Sequence, residues 1–323
     1  MNDLSLRQLG ASQLRLHPMS FGASRLVGLP VAEATATVHA ALESGMNHLD
    51  TAPFYGFGKS ENLSGLALAN APAPFYISTK VGRLVREDGD GEATTIFDYS
   101  YEGAQKSLDE SLKRLDRQSV DMAILHDVSH RWHGEETHRV FDGAMKGAYK
   151  AMKEWRDAGL VKAIGIGIND CAISMRALAE ADFDFLMLAG RTTLLDQEGF
   201  DQVLPTCQKN GVGVIVAAPF NSGILATGAV AGALYFSRPA PEDILEKTRK
   251  IEKVCQQYGV SLRAAALQMP LRHPAVTSVL AGYKNPAEVL ENLTLATLKL
   301  PNEFWGALVE ARLISSVSAQ WHV

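Results

Sequence analysis

The feature that most constrains this chain is a rhythm of short strand-like runs, each followed by a stretch with helical apolar spacing. The runs are Met19 to Gly22, His48 to Ala52, Phe75 to Lys80, Val120 to His126, Ala163 to Ile168, Phe183 to Ala189, Val212 to Pro219 and Thr277 to Gly282. The helical stretches are Glu33 to Glu43, Lys59 to Ala69, Tyr101 to Leu115, Gly143 to Asp157, Ala172 to Ala179, Phe200 to Lys209, Ile244 to Tyr258 and Pro286 to Leu295, the sixth with Pro205 inside it. Strand and helix in alternation imply a parallel sheet, and eight repeats close it into a (β/α)8 TIM barrel. An open doubly wound sheet is the competing topology. Against it, no Gly-x-Gly-x-x-Gly follows the first run, and Gly165-Ile166-Gly167 alone is a weak substitute.

Leu6 to Leu9 and Leu14 to Leu16, around Gly10-Ala11-Ser12, predict a small hairpin ahead of the barrel. Glu303 to Leu313 predicts one more helix before a short extension to Val323. No Pro/Ser-rich linker divides the chain, and 323 residues suit one barrel domain over residues 1–323. With 21% charged residues and a net charge of -5 there is no basic excess for nucleic acid. Met1 to Gly10 has no apolar signal region, and no uncharged apolar run approaches the ~18 residues of a membrane span, so a cytoplasmic location with no membrane partner is expected. Cys171, Cys207 and Cys255 are odd in number and far apart, and read as reduced thiols.

In a barrel the chemistry belongs at the C-terminal ends of the strands, so polar residues there carry most weight. Asp50 lies near the end of the second run, Tyr55 follows in a loop punctuated by Pro53 and Gly56, Lys80 closes the third run and His126 the fourth. Taken singly, each has a plainer reading: a helix cap, the partner of a buried lysine, a half-buried loop aromatic, a structural donor. Together at strand mouths they form an acid-base set. A phenol titrates near ~10 and needs help at neutral pH; Lys80 beside Tyr55 is expected to lower its pKa, with Asp50 holding Lys80 charged and His126 bonding a substrate oxygen. His130, His133 and His138 lack metal-ligand spacing with an acidic or cysteine partner, and read as a solvated loop without metal. Trp132 in that loop is a candidate substrate-lining residue.

These residues resemble a family, the aldo-keto reductases, along nearly the whole chain. Asp50-Thr51-Ala52-Pro53-Phe54-Tyr55-Gly56 is similar to the family's Asp-Thr-Ala-x-x-Tyr-Gly segment, and Ile77-Ser78-Thr79-Lys80 and Leu125-His126 complete the resemblance. It implies that Asp50, Tyr55, Lys80 and His126 are a catalytic tetrad. Phe97-Asp98-Tyr99-Ser100, His126-Asp127, the run Gly190 to Gln197 and the run Phe220 to Leu225 resemble the branch of NAD-dependent sugar dehydrogenases that oxidise L-fucose, L-galactose and other D-threo-aldoses at C1. A pyridoxal 4-dehydrogenase branch is similar too, and because some members of the family serve as cofactor-binding subunits of channels, the resemblance also leaves open, from another class, a non-catalytic cofactor-binding regulatory subunit. The resemblance further implies cofactor contacts at Asn169, Pro219, Asn221, Gly223, Gly282, Lys284, Glu288 and Asn292, with Asn169 one residue further from Gly165 than in the commonest form. Where many members have a nicotinamide-stacking tyrosine, this chain reads Ala217-Ala218-Pro219. Glu288 falls where NADP-dependent members carry an arginine, which implies NAD over NADP, with Lys284 the cation nearest in sequence for a 2′-phosphate.

Overall fold

Eight parallel strands close on themselves in the computed structural model, which describes residues 4–87 and 93–319. They are β1 (Met19–Gly22), β2 (His48–Asp50), β3 (Tyr76–Val81), β4 (Met122–His126), β5 (Ala163–Ile168), β6 (Phe185–Ala189), β7 (Gly213–Ala217) and β8 (Val276–Gly282). Each pairs with the next in sequence, and β8 pairs with β1 through Val279 and Met19. The sequence therefore forms the expected barrel. The hairpin Arg7–Gln8 with Arg15–Leu16 precedes it, and the helix Asn302–Glu310 follows. Residues 1–3 of the N-terminal stretch and 320–323 of the expected extension lie outside the described residues.

The barrel interior divides by chemistry. Leu9, Leu14 and Leu16 of the hairpin pack with Met122, Ile124, Phe185, Met187 and Ile215, so the hairpin plugs the barrel beneath an apolar arc from β4 to β7. The plug sits tightly: Gly10 is in the left-handed region (φ 56°), and a Cβ there would come 2.5 Å from the Gly213 nitrogen. Removing a buried leucine such as Leu16 should cost about 2–5 kcal/mol. The arc from β8 to β3 is instead polar and buried, with Ser278, Ser20, His48, Asp50, Ser78 and Lys80. Strand alternation sorts these faces: Ser78 and Lys80 face one way, while Thr79 between them donates to the buried Glu61 of the helix Lys59–Leu68 (2.6 Å).

Two helices differ from the sequence expectation, each for a local reason. The stretch Gly143 to Asp157 is broken into Thr137–Lys146 and Ala148–Asp157. At the break the Tyr99 carbonyl accepts from the Ala148 N–H (2.9 Å), and a Cβ on Gly147 would lie 2.3 Å from that oxygen, so only glycine fits. The sixth helix runs Val203–Asn210 after a short turn of helix, Glu198–Asp201. Pro205 falls in its first turn, where an N–H has no helical partner to lose. Besides several one-turn helices, elements without an expectation include a hairpin Arg83–Glu87 with Ala93–Phe97, a second one Leu234–Tyr235 with Arg238–Pro239, and the helix Leu262–Leu271. That helix is buried on nearly every side, so it has no amphipathic stripe to read. No helix among the described residues is long and apolar enough to cross a membrane.

Candidate active site

Asp50 ends β2, Lys80 is the penultimate residue of β3, and His126 ends β4, so three adjacent strands deliver an acid, a cation and an imidazole to one rim. Tyr55 enters from the loop after β2. That loop is held by its own turn, with Gly58 N–H on the Pro53 carbonyl (2.8 Å) and Ser60 N–H on the Tyr55 carbonyl (3.2 Å). Gly56 allows the bend: it has φ 61°, and a Cβ would strike Val27 at 2.7 Å.

Beneath the rim the polar arc forms one hydrogen-bonded chain. Lys80 Nζ donates to Asp50 Oδ2 (2.5 Å) and to the Thr51 carbonyl (2.8 Å), and Ser78 Oγ donates to Asp50 Oδ1 (2.7 Å). Because the Ser78 proton goes to Asp50, its oxygen accepts from His48 Nε2 (3.0 Å), and on the other side of the ring His48 Nδ1 lies 3.0 Å from Ser20 Oγ. Burial, with the Lys80 charge in support, pushes the His48 pKa down to about 3.

Lys80 Nζ lies 4.8 Å from the centroid of the Tyr55 ring. Burial weighs against the ammonium, yet Asp50 and Tyr55 outweigh it and raise the Lys80 pKa. For Tyr55 the balance falls the other way from the sequence expectation. Burial raises the phenol's pKa, and although Lys80 pulls it down, Asp50 and Asp127 add to the rise. The lysine was a correct stabiliser of phenolate; the desolvation around it is the larger effect.

His126 stands 6.3 Å from Tyr55 between ring centroids, nearly perpendicular at 87°. Its carbonyl accepts from Tyr99 Oη (2.8 Å). Burial pushes its pKa down to about 3, so the ring is neutral at working pH. Nδ1 is buried with no partner among the described residues. A buried N–H without an acceptor costs more than a bare lone pair, which places the proton on Nε2.

Tyr55, Lys80 and His126 line a cleft of about 230 Å³ together with Phe54, Asp127, Trp132 and Asn169. Trp132 meets Phe54 edge-on at 5.9 Å. Arg131, Met187 and Ser237 also line it and carried no motif in the sequence. Gly167, Ala189 and Ala217, at the strand ends across the barrel, leave the floor open to a flat ring. Asn169 sits beside them, its carbonyl held by Arg191 Nε (2.9 Å), and its neighbour Asp170 caps the next helix through the Ile173 N–H (3.1 Å). These residues fit a nicotinamide at the barrel mouth.

The other cofactor candidates do not line this cleft. Asn221 is buried, accepting from Thr193 Oγ1 and donating to the Gly190 carbonyl (3.2 Å). Pro219 is buried beside it, and Gly223 takes φ 107° ahead of the short helix Ile224–Thr227. Gly282 makes room for Arg25, whose Cγ would lie 2.5 Å from an added Cβ. Glu288 Oε2 accepts from the Lys284 N–H (2.9 Å), while its own N–H is capped by Asn285 (2.9 Å). Asn292 is buried, and Arg263 donates to its Oδ1 (2.7 Å). The three histidines expected in a solvated loop lie in helices instead, His130 and His133 in the short helix His130–His133 and His138 in Thr137–Lys146, because local contacts fold the stretch: His130 bonds Asp170 (2.6 Å) and His133 bonds Tyr99 (3.2 Å).

A closed parallel barrel with a lysine–carboxylate pair buried below a phenol at its mouth fits the framework of a barrel oxidoreductase. The chain belongs to the Aldo/keto reductase family, whose pattern matches residues 18–312 and whose members use nicotinamide cofactors. It is 36% identical to the pyridoxal 4-dehydrogenase of Microbacterium luteolum, over 96% of this chain and 98% of that protein. It is 35% identical to the D-threo-aldose 1-dehydrogenase of a Pseudomonas species, over 94% of this chain and 96% of that one. An aldo-keto reductase of Bacillus halodurans, solved in its holo form, shares the fold with a TM-score of 0.80 at 24% identity, over 97% of each chain.

Proposed function

We propose that this oxidoreductase oxidises an aldopyranose of the D-threo series, such as L-fucose or L-galactose, at C1 with NAD, releasing an aldonolactone. The observation that carries the reading is the convergence of the Tyr55 phenol and the neutral His126 on one cleft over the Lys80–Asp50 pair. Tyr55 takes the proton of the anomeric hydroxyl as general base. Lys80 supports the phenolate that accepts this proton, and Asp50, fixed by Ser78, keeps Lys80 charged and aimed. His126 Nε2–H donates to the same substrate oxygen and turns the C1–H bond toward the floor of the cleft. When bound, a nicotinamide cofactor supplies the acceptor for the C1 hydride. As the O–H and C–H bonds break, the C1–O bond becomes the lactone carbonyl. Phe54 and Trp132 offer aromatic faces for the apolar side of a sugar ring.

Pyridoxal is the second reading, favoured by the relative at 36% identity. Its aldehyde closes onto the neighbouring hydroxymethyl group, which presents a hemiacetal carbon like that of a pyranose. A purely cofactor-binding role has no use for a phenol held over a buried lysine–carboxylate pair. The test is NADH or NADPH formation with a panel of aldoses and pyridoxal. The expected result is turnover of D-threo-aldoses with NAD preferred. Turnover of pyridoxal alone selects the second reading, and cofactor binding without substrate-dependent reduction overturns both.

A further inference from the structure

Arg83 follows β3 at the start of the first unexpected hairpin and is 4% exposed. Its guanidinium lies 3.5 Å from the Phe54 ring centroid, 4.4 Å from Trp132 and 4.7 Å from Phe97. The three rings come from the connections that follow three different barrel strands, so one cation ties together the substrate side of the barrel mouth. Nη2 donates to Thr95 Oγ1 (3.2 Å), and Nη1 donates to Asp127 Oδ2 (2.7 Å). Such a buried cation is retained only with a compelling partner, and among the described residues its carboxylate partner is Asp127.

Asp127 directly follows His126. Its backbone is in the left-handed region (φ 62°), with its N–H on the Gly167 carbonyl (3.0 Å), so the carboxylate is carried from a fixed strand end to the cleft wall. Oδ2 takes Arg83 and lies 3.4 Å from His126 Nε2, too far to capture that proton well. Oδ1 has no protein partner among the described residues. A charged acceptor stands ready at the wall, one residue from the imidazole that contacts the reacting oxygen.

We infer that Asp127 is a specificity-determining residue: its free carboxylate oxygen accepts a hydrogen bond from a substrate hydroxyl next to the reacting carbon, and the caged Arg83 holds it there. This rests on the assignment of the cleft to an oxidoreductase of hydroxylated substrates, and it narrows that class to those with a hydroxyl neighbouring the reacting carbon. The plainer account is that Asp127 serves only as the counter-ion of Arg83. The two differ in discrimination, since a counter-ion has no reason to sense one hydroxyl.

The test compares kcat/KM within two substrate pairs that differ in neighbouring hydroxyls: L-fucose against 2-deoxy-L-fucose in oxidation, and glyceraldehyde against propanal in reduction. Wild type should favour the hydroxylated member by roughly ten- to a hundredfold, the range of a hydrogen bond to a charged group. Asp127→Asn keeps the shape and tolerates the left-handed backbone, and should bring the preference down to about threefold or less. The double variant Asp127→Ala with Arg83→Met removes both charges together and should do the same if Asp127→Asn folds poorly. No preference in wild type, or a full preference in a variant with wild-type thermal midpoint and NADH binding, overturns the inference. An enzyme that reduces glyceraldehyde but oxidises no aldopyranose refutes the proposed C1 oxidation, while the glyceraldehyde-to-propanal ratio still decides the role of Asp127.

Discussion

The mouth of the barrel at β2 to β4 and the mouth at β7 to β8 hold equal numbers of polar candidates and use them differently. On the first side Tyr55, Lys80 and His126 line the cleft, and bonds among Asp50, Lys80 and Ser78 fix the lysine beneath the phenol. On the second, the side chains of Asn221, Glu288 and Asn292 are already engaged in holding loops and helix ends. A catalytic group must be in place before substrate arrives, so its geometry is complete in the protein alone. A contact to the adenosine end of a cofactor can share its side chain with the fold, and the two duties must then be separated by experiment.

The largest effect expected on the first side is from Tyr55→Phe, which removes the proton-transfer group and little volume. It should lower kcat on the order of 10²-fold or more with cofactor affinity nearly unchanged. A variant that keeps more than about a tenth of wild-type kcat would take Tyr55 out of the acid-base role.

The pH profile comes next. Oxidation needs the phenolate, and the Tyr55 pKa is raised, so the ionised fraction grows through the whole accessible alkaline range. The kcat/KM for oxidation should climb by about tenfold per pH unit without a plateau below ~10. With its pKa near 3, His126 should add no inflection between neutral and mildly acidic pH. A plateau near neutrality, with chemistry shown to be rate-limiting, would contradict the burial of the phenol.

On the second side, Glu288→Arg should raise kcat/KM for NADP relative to NAD by roughly tenfold, since a pair of unit charges at ~4 Å is worth ~1 kcal/mol in water and more at a half-exposed site. The same change removes the acceptor of the Lys284 N–H and should cost about 1 kcal/mol of stability. Lost stability without any shift in cofactor preference would leave Glu288 a helix-capping residue only.

The smallest effect distinguishes fold from ligand most cleanly. Asn221→Ala deletes the bonds to Thr193 and Gly190 and should destabilise the protein by about 1–2 kcal/mol, with the cofactor Kd changed less than about threefold. A large loss of NADH affinity at an unchanged thermal midpoint would reverse that assignment and erase the contrast between the two mouths.

The two sides also differed in how much the sequence disclosed. The barrel and the Asp50, Tyr55, Lys80 and His126 set were readable because strand period and strand ends are local properties of the chain. The Tyr55 pKa was not, because desolvation depends on everything packed around the ring. Arg83 was passed over: it lies just beyond Gly82, and its meaning comes from Phe54, Phe97 and Trp132, rings up to 49 positions away that only the folded loops assemble. Asp127 was visible beside His126, but its pairing with Arg83 was not. Asn221 and Glu288 were singled out by motif, and motifs do not record which bonds the fold has already claimed.

The most direct measurement is the fate of the C1 hydrogen. With L-fucose or L-galactose deuterated at C1 and NAD as acceptor, the expected result is deuterium in the reduced nicotinamide ring, a lactone product and a primary isotope effect on kcat/KM when chemistry limits the rate. Reduced cofactor that carries no deuterium, or an unchanged sugar in the presence of bound NAD, would contradict hydride transfer from C1 at this site.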